Sequence, residues 1–347
     1  MRLCCKVRWW LIAFSLVVLV TVLWALSVGV IETPWYSILM LGSAEGGDQL
    51  PAHINTIIFE IRLPRIFLAL VVGAILANSG ALLQGLLRNP LADPGVLGIS
   101  SGSAVGAALA MLILNQLFPS VVTALGNLLV PCFAFIGGML ATWVVYRLGV
   151  TVWGISVPTM LLAGVAISSM AMAALAAINY LADDLTLRSF MHWQLGQLSG
   201  AQWWAGLTCL AVLLLQVLLI PWLGQGLNAL LLGEQEASYL GVPVEKLKRT
   251  VICVASLGVG VAVAAVGIVA FVGLVVPHIV RQCLGPNHQT LLPAATLCGA
   301  WLLLVADTLS RWLLAPLELP IGIVTALIGA PVFIWLLVQQ RQRMVSS

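Results

Sequence analysis

Long apolar runs separated by short polar stretches make up most of this chain. With a window of about 20 residues, the length that crosses a bilayer as a helix, the pattern predicts ten apolar helical segments. They lie near residues 9–30, 62–86, 98–117, 124–147, 159–181, 203–223, 249–267, 270–284, 292–314 and 321–339. Glycine and proline interrupt several of them, so their ends are only loosely defined. The pattern therefore predicts an all-α polytopic membrane protein, with about ten transmembrane helices in a single domain over residues 1–347.

The composition supports this class. Of the 347 residues, 61% are hydrophobic and only 8% are charged, and the mean hydropathy is +1.10. Soluble domains carry roughly 25% charged residues. The seven cysteines show no metal-ligand spacing, so we interpret them as small apolar residues and expect no metal site. Lipid attachment at the adjacent Cys4 and Cys5 is left open.

The distribution of lysine and arginine sets the expected orientation. With a cytoplasmic N-terminus and ten spans, only four of the fifteen basic residues face outward, namely Arg62, Arg65, Arg188 and Arg311. The opposite orientation breaks the positive-inside rule. The first span is longer than the apolar region of a signal peptide, so we interpret it as an uncleaved span. Both termini are therefore expected in the cytoplasm.

One amphipathic, charged stretch interrupts the apolar pattern, LNALLLGEQEASYLGVPVEKLKR at residues 227–249. In the expected orientation it is the largest cytoplasmic loop, and Gly233, Gly241 and Pro243 divide it into short helices. A helix lying on the lipid surface is one interpretation, although the acidic centre of the stretch disfavours anionic headgroups. A helix that packs into a groove of a soluble partner fits the pattern better, with charges such as Lys246 and Lys248 at the rim.

Several stretches resemble the FecCD-type permeases, which are the membrane subunits of ABC importers for cobalamin, ferric siderophores and haem. In chain order they are IRLPRIFLALVVGAILANSGALLQGLLRNPLADPGVLGISSG at 61–102, LLGEQEASYLGV at 231–242, FVGLVVPHIVR at 271–281, LLPAATLCGAWLLLVADTLSR at 291–311 and ELPIGIVTALIGAPVFIWLL at 318–337. The resemblance covers nearly the whole chain from Arg62 onward. Ordered matches of this length are far more specific than a short motif.

The resemblance implies a cobalamin-permease-like (type II ABC importer) fold and a homodimer in the bacterial inner membrane. It also implies two cytoplasmic ATP-binding subunits and a periplasmic substrate-binding protein as partners, and no nucleic acid. ATP and Mg²⁺ are then bound by the partner ATPase, and this chain needs no cofactor. The sequence agrees on one point, because a P-loop needs a Gly-Lys pair, whereas Lys6, Lys246 and Lys248 follow Cys, Glu and Leu. We therefore expect this chain to be no enzyme.

By the same resemblance, residues 227–249 form the coupling-helix loop that receives the ATPase. The core of that contact is expected at Gly233, Glu234, Ala237, Leu240 and Gly241. On the outer face, Arg62, Arg65 and Arg311 match positions that receive acidic side chains of the binding protein, and guanidinium groups suit carboxylates. The alternative for each arginine is snorkelling to the outer headgroups. Asp307 lies four residues before Arg311, which favours a structural ion pair.

The resemblance also suggests a translocation path and a cargo. The turn between the fourth and fifth spans resembles the cytoplasmic gate, and it contains Ser156, Val157, Pro158 and Thr159. The apolar Val-Pro pair departs from the small hydroxyl residues that some members carry there. The outer segment INYLADDLTLRSFMHWQLGQLSG at 178–200 most resembles the haem permeases, with ferric siderophore and cobalamin as alternative cargoes. Met191 and His192 are candidate iron ligands for passing haem, and interfacial packing is the alternative role.

One short motif matches a different function class. Gly98–Gly102 has the form GxSxG, but a serine hydrolase needs that serine on a strand-to-helix turn beside a histidine. Here Ser100 opens an apolar helix, so an intramembrane serine protease is the less favoured alternative. The same run places Gly98, Gly102 and Gly106 four residues apart, which predicts a close approach of two helices. A secondary transporter or an export channel explains neither the docking helix nor the outer arginines.

Overall fold

The computed structural model describes residues 2–29, 52–114, 126–152 and 154–346, and most of them are helical. The α-helices are α1 Arg2–Ser27, α2 Ala52–Thr56, α3 Leu63–Leu86, α4 Ile99–Ala108, α5 Leu129–Gly149, α6 Val157–Leu181, α7 Asp184–Gln194, α8 Trp203–Leu230, α9 Glu234–Tyr239, α10 Val244–Val266, α11 Val272–Leu284, α12 His288–Trp312 and α13 Ile321–Ser346. Single π-helical segments cover Ile57–Arg62 and Leu109–Leu114, and 3-10 turns cover Pro94–Leu97 and Gly126–Leu128. An antiparallel hairpin, β1 Val150–Thr151 and β2 Gly154–Ile155, joins α5 to α6.

Seven of the described helices are long and apolar enough to cross a bilayer, and three shorter apolar helices accompany them. This confirms the predicted all-α polytopic fold with about ten apolar helices. Helix α3 lies at its centre, since 89% of its apolar window is buried, and it packs against α8, α10, α11 and α12. Helices α1 and α6 are peripheral, because only 17% of each apolar window is buried. Their remaining surface faces lipid or another protein.

Glycines allow the closest helix contacts. A Cβ atom added at Gly106 would collide with the carbonyl group of Phe133, and one at Gly102 would meet Ala141 and Gly137. Helices α4 and α5 therefore touch backbone to backbone, as the glycine spacing predicted. Gly98 has another role, because its φ of 76° ends the preceding 3-10 turn and starts α4. Only glycine adopts that conformation readily.

Some boundaries differ from the predictions. Helix α8 continues to Leu230, seven residues beyond the predicted segment, because its apolar face continues onto α3 and α10. Helix α11 has 13 residues, about 20 Å, which is too short to cross a hydrocarbon core of about 30 Å. Parts of the predicted segments 9–30, 98–117 and 124–147 lie outside the described residues, as do the side chains of Cys4 and Cys5.

Candidate functional site

Helix α9 stands between the long helices α8 and α10, inside the charged stretch that the sequence singled out. Its N-cap is Gly233, with φ of 137°. At its other end Gly241 has φ of 82°, and the amides of Gly241 and Val242 donate to the carbonyls of Ser238 and Ala237. This is a Schellman cap, which favours glycine at the left-handed position. The two glycines therefore fix where α9 begins and ends.

One face of α9 is packed against the chain and the other is open. Ala237 is fully buried, whereas Tyr239 and Leu240 are 89% and 64% exposed. Ala237 therefore seats α9 on the chain and is not accessible to a partner, which contradicts its predicted place in the core of such a contact. Tyr239, Leu240 and Glu234 are accessible, and the contact itself stays a prediction. The predicted loop 227–249 is also shorter than expected, because its two ends belong to α8 and α10.

The side chain of Lys248, on α10, joins α9 to the hairpin. Its Nζ atom lies 2.6 Å from Oε2 of Glu234, 3.2 Å from Oε1 of Glu245 and 3.1 Å from the carbonyl oxygen of Ile155. The three acceptors match the three protons of the ammonium group. On the other side of Glu234, Arg88 Nη2 lies 3.8 Å from Oε1. The side chain of Lys248 is 2% exposed, so the prediction that it lies at a solvated rim is wrong.

The hairpin leads directly into the candidate gate segment Ser156–Thr159. The amide of Ser156 donates to the carbonyl of Gly149 at 2.9 Å, which ties the end of α5 to the start of α6. Ser156 is the N-cap of α6, and its hydroxyl lies 2.8 Å from the hydroxyl of Thr159. Pro158 lies in the first turn, where its missing amide proton costs no hydrogen bond. The four predicted gate residues thus form one capped helix start.

A second cluster of charges lies at the opposite end of α3, whose 24 residues span about 36 Å. Arg65 Nε lies 2.8 Å from Oδ1 of Asp307, and its Nη1 lies 2.9 Å from Oε2 of Glu318. Arg311 Nε lies 3.3 Å from Oδ2 of Asp307, which is the predicted ion pair. Asp307 is fully buried. A carboxylate inside the apolar region is therefore compensated by two arginines.

Two of the arginines that were expected on the outer face also hold the end of α1. Arg62 Nη1 donates to the carbonyl of Leu26, and Arg311 Nη1 donates to the carbonyl of Val28 at 3.2 Å. The last carbonyls of a helix lack partners within the helix, and cations are favourable there. Arg62, Arg65 and Arg311 are only 5–7% exposed. An acidic partner residue would have to displace these internal contacts, so their predicted docking role stays a prediction.

The two candidate path residues lie on α7, between the spans α6 and α8. Asp183 caps this helix, and hydrogen bonds from the hydroxyl and then the amide of Thr186 lower the pKa of its carboxyl. Met191 and His192 are both exposed. His192 lines a cavity of about 160 Å³ together with Arg65, Gln197, Ser199, Asp307 and Glu318. One predicted path residue and one predicted docking residue therefore border the same cavity.

The structure gives no support to a hydrolase site at Ser100. No hydrogen bond joins Ser100 to any histidine whose side chain is described; His278 bonds Gln282 and His288 bonds Asn228. Ser100 is the second residue of α4, and a 3-10 turn precedes this helix where a hydrolase has a strand. Across the residues that the structure describes, no three His, Cys, Asp or Glu side chains gather as a metal site.

The match to known proteins covers most of the chain. A model of the FecCD transport family matches residues 17–339. The chain belongs to the FecCD transport family. It is the membrane-spanning permease subunit of an ABC importer, and the match extends beyond the stretches from Arg62 onward that showed the resemblance.

Individual relatives agree with the FecCD assignment. The chain is 44% identical over 285 residues to the hemin transport system permease protein HmuU of Yersinia pestis, covering 82% of this chain and 84% of that protein. It is 40% identical over 339 residues to the vitamin B12 import system permease protein BtuC of Klebsiella pneumoniae, covering 97% and 95%. A solved metal-chelate type ABC transporter in an inward-facing conformation matches with a TM-score of 0.81 and 33% identity, covering 95% of this chain and 98% of that one.

Sequence reasoning about this FecCD permease missed the partners of its charged residues. Glu318 and Arg65 are 253 positions apart, and Lys248 and Ile155 are 93 apart. Neither pair has a spacing signal, because the contacts are made by packing between distant helices. The one signal that was available was the four-residue spacing of Asp307 and Arg311.

Proposed function

We propose that this chain forms the haem-translocating pathway of its ABC importer. The observation that most supports haem as the cargo is the 44% identity to a hemin permease. The haem-permease-like segment around Met191 and His192 supports it, since His192 lines an outer cavity and both side chains are exposed. Imidazole and thioether groups are ordinary ligands of haem iron.

Cobalamin is the second candidate cargo, with ferric siderophores as a third member of the same class. The observation in favour of cobalamin is the 40% identity to a vitamin B12 permease, which extends over 97% of this chain. The identity to the vitamin B12 permease is lower than that to the hemin permease but extends over a longer match, so the two comparisons support haem and cobalamin to a similar degree. The family and the fold are the same in either case.

The working assembly that we propose is a homodimer with two cytoplasmic ATPase subunits and a substrate-binding protein outside. The support for a second copy comes from α6, which has 25 residues but buries only Met160, Gly164 and Leu175. Its open face carries small residues, including Ser169, Ala173 and Ala177, which allow close helix contacts or a weakly binding wall. We assign this face to the dimer interface and to the path along the dimer axis.

The proposed orientation puts both termini and α9 in the cytoplasm of a bacterium, with the single transmembrane domain in the inner membrane. Its support is the positive-inside distribution of lysine and arginine. The ATPase then docks on α9, through Glu234 and the exposed Tyr239 and Leu240, with Gly233 and Gly241 fixing the helix ends. ATP and Mg²⁺ belong to that partner, and this chain carries out no catalysis.

The mechanism that we propose is alternating access. The binding protein docks outside, above the cluster of Arg62, Arg65 and Arg311, and releases cargo into the outward cavity. ATP-driven closure of the ATPase subunits then moves α9, and the helices rearrange to open the gate segment Ser156–Thr159 inward. Rigid helices and a bistable interface suffice for such a change, because packed cores do not deform continuously.

The test is ATP hydrolysis by the permease co-purified with its ATPase in lipid, with binding protein carrying haem, cobalamin or a ferric siderophore. Stimulation by the haem-loaded binding protein alone supports the cargo that we propose. Stimulation by another loaded protein keeps the importer and replaces haem. Failure of the ATPase to co-purify contradicts the proposed assembly.

A further inference from the structure

We infer that Lys248 and Glu245 are positioning residues that transmit movement of α9 to the gate segment Ser156–Thr159. The inference deepens the proposed function, since it rests on α9 being the site where the ATPase docks. It concerns the physical link between that docking site and the path. The link consists of one buried cation, two carboxylates and the backbone amide and carbonyl of one hairpin residue, Ile155.

Ile155 is bound to α10 through both of its backbone polar groups. Its amide donates to Oε2 of Glu245 at 3.1 Å, and its carbonyl oxygen accepts from Nζ of Lys248 at 3.1 Å. Glu245 and Lys248 also bind each other at 3.2 Å, one helical turn apart on α10. Hydrogen bonds to charged groups are roughly twice as strong as neutral ones. The hairpin is therefore tied to the start of α10 and is expected to move with it.

The same ammonium group also holds α9. Nζ of Lys248 lies 2.6 Å from Oε2 of Glu234, the first residue of α9. The side chain of Lys248 is 2% exposed, while those of Glu234 and Glu245 are 48% and 53% exposed. The cation is thus the buried centre of the cluster and the acids are its outer members. A shift of Glu234 by a docked partner acts on Lys248 directly.

The glycine that precedes Ile155 leaves room for the carboxylate of Glu245. Gly154 has φ of 106°, and a Cβ atom there would lie 2.6 Å from Oε1 of Glu245. The carboxylate therefore occupies the space that a side chain would fill. The hairpin is shaped to receive Glu245, in addition to being bound by it.

The hairpin is in turn rigidly joined to the gate segment. Thr151 Oγ1 donates to the carbonyl of Gly154 at 2.8 Å, and the amide of Ser156 donates to the carbonyl of Gly149 at 2.9 Å. Ser156 is also the N-cap of α6. Movement of Ile155 must therefore carry the start of α6 with it. Contiguous networks of this kind carry coupling between distant sites.

Charge explains why Lys248 is central. Without its ammonium group, the carboxylates of Glu234 and Glu245 lose their shared cation, and the carbonyl of Ile155 loses its donor. Arg88, at 3.8 Å from Glu234, compensates only Glu234 and leaves Glu245 without a cation. The α9 end of the link is then released from the hairpin end.

The experiment compares Lys248→Met with Arg147→Met in vesicles that contain the full importer. Arg147 lies in the last turn of α5, next to the hairpin, and its side chain is exposed and has no ion pair among the described residues. The quantity measured is cargo transported per ATP hydrolysed. We expect this ratio to fall about 3-fold to 30-fold in Lys248→Met and to stay at the wild-type value in Arg147→Met.

Gly154→Ala is the second variant, because it displaces Glu245 while leaving Lys248 and Glu234 in place. The same loss of transport per ATP is expected. If Lys248→Met does not assemble, Gly154→Ala decides the matter alone. A wild-type ratio in Gly154→Ala, or in an assembled Lys248→Met, overturns the inference. Absence of ATP-driven transport by the wild type instead overturns the proposed function on which it rests.

Discussion

Arg65 and Asp307, 242 positions apart in the chain, form a buried ion pair with Nε and Oδ1 separated by 2.8 Å. Arg311 shares the second oxygen of the same carboxylate at 3.3 Å. One fully buried acid thus balances two arginines, and the Arg65–Asp307 pair joins α3 to α12 while Arg311, itself on α12, reaches α1. The pair is a structural element of the end of the molecule where α3 begins.

Asp307→Ala should be strongly destabilising, because it leaves Arg65 and Arg311 buried without their shared carboxylate. We expect the free energy of unfolding to fall by about 3–5 kcal/mol, the cost of breaking a buried pair. The measurement is the midpoint of thermal unfolding in detergent. Glu318→Gln is the control, since the side chain of Glu318 is 39% exposed and its pair with Arg65 is worth about 1 kcal/mol or less. Equal shifts for both variants would contradict the central role of Asp307.

Glu234→Arg should weaken docking of the ATPase. It places a guanidinium group beside Lys248 and Arg88, which now both face the Glu234 carboxylate. We expect the affinity for the ATPase subunit to fall at least about tenfold. Pulldown with a tagged ATPase measures this, and Glu236→Arg on the same helix has the same change in net charge. An equal loss in the control would show that only the charge of α9 matters.

Gly106→Leu should disrupt the contact between α4 and α5. The new side chain would meet the backbone of Phe133, which cannot move away as a flexible side chain can. Overpacking costs about 1–3 kcal/mol, and more against backbone. Ala211→Leu, on the exposed face of α8, is the matched control. A lower thermal midpoint is expected for Gly106→Leu alone, and an unchanged midpoint would contradict the close contact.

Gln216→Leu should loosen the packing of α3, α8 and α10. Gln216 is fully buried, accepts from Asn78 at 3.3 Å and donates to Ser79 at 2.9 Å. The expected loss is about 1–2 kcal/mol, as for other hydrogen bonds between membrane helices. Gln225→Leu, exposed on the same helix, should leave the thermal midpoint unchanged. Equal midpoints for the two variants would show that the buried amide contributes nothing.

His192→Ala should slow the uptake of haem while leaving the uptake of other cargoes unaffected. The reason is that an imidazole is a ligand for haem iron, whereas an alanine is none. Gln194→Ala, exposed on the same short helix, is the control. Initial rates of uptake measure the effect. Equal rates in all three proteins would leave His192 with an interfacial packing role only.

The sequence predicted the number and type of the helices well, because hydropathy depends on local composition. It also predicted the helix boundaries at Gly233 and Gly241. The reason there is local backbone conformation, because a positive φ favours glycine wherever it occurs. It failed where the rotation of a helix decides the outcome. Ala237 and Lys248 both turned out to be buried, and hydropathy does not state which side of a helix faces the chain.

The partners of the charged residues were even less accessible to prediction. That Arg62, Arg65 and Arg311 receive acids of another protein stays a prediction, but the sequence did not reveal that Asp307 and Glu318 of the chain itself pair with Arg65. Those acids come from α12 and from the loop after it, so their approach depends on the packing of α3 against α12. Only the pair within one helix, Asp307 with Arg311, had a readable spacing.

Uptake of labelled haem into sealed vesicles tests the account most directly. The vesicles contain this permease and its ATPase, with ATP on the cytoplasmic side and the binding protein on the outer side. We predict ATP-dependent accumulation of haem that exceeds that of cobalamin and of a ferric siderophore and that is lost in Glu234→Arg. Accumulation of haem without ATP, or ATP-driven accumulation of cobalamin in preference to haem, would contradict the account.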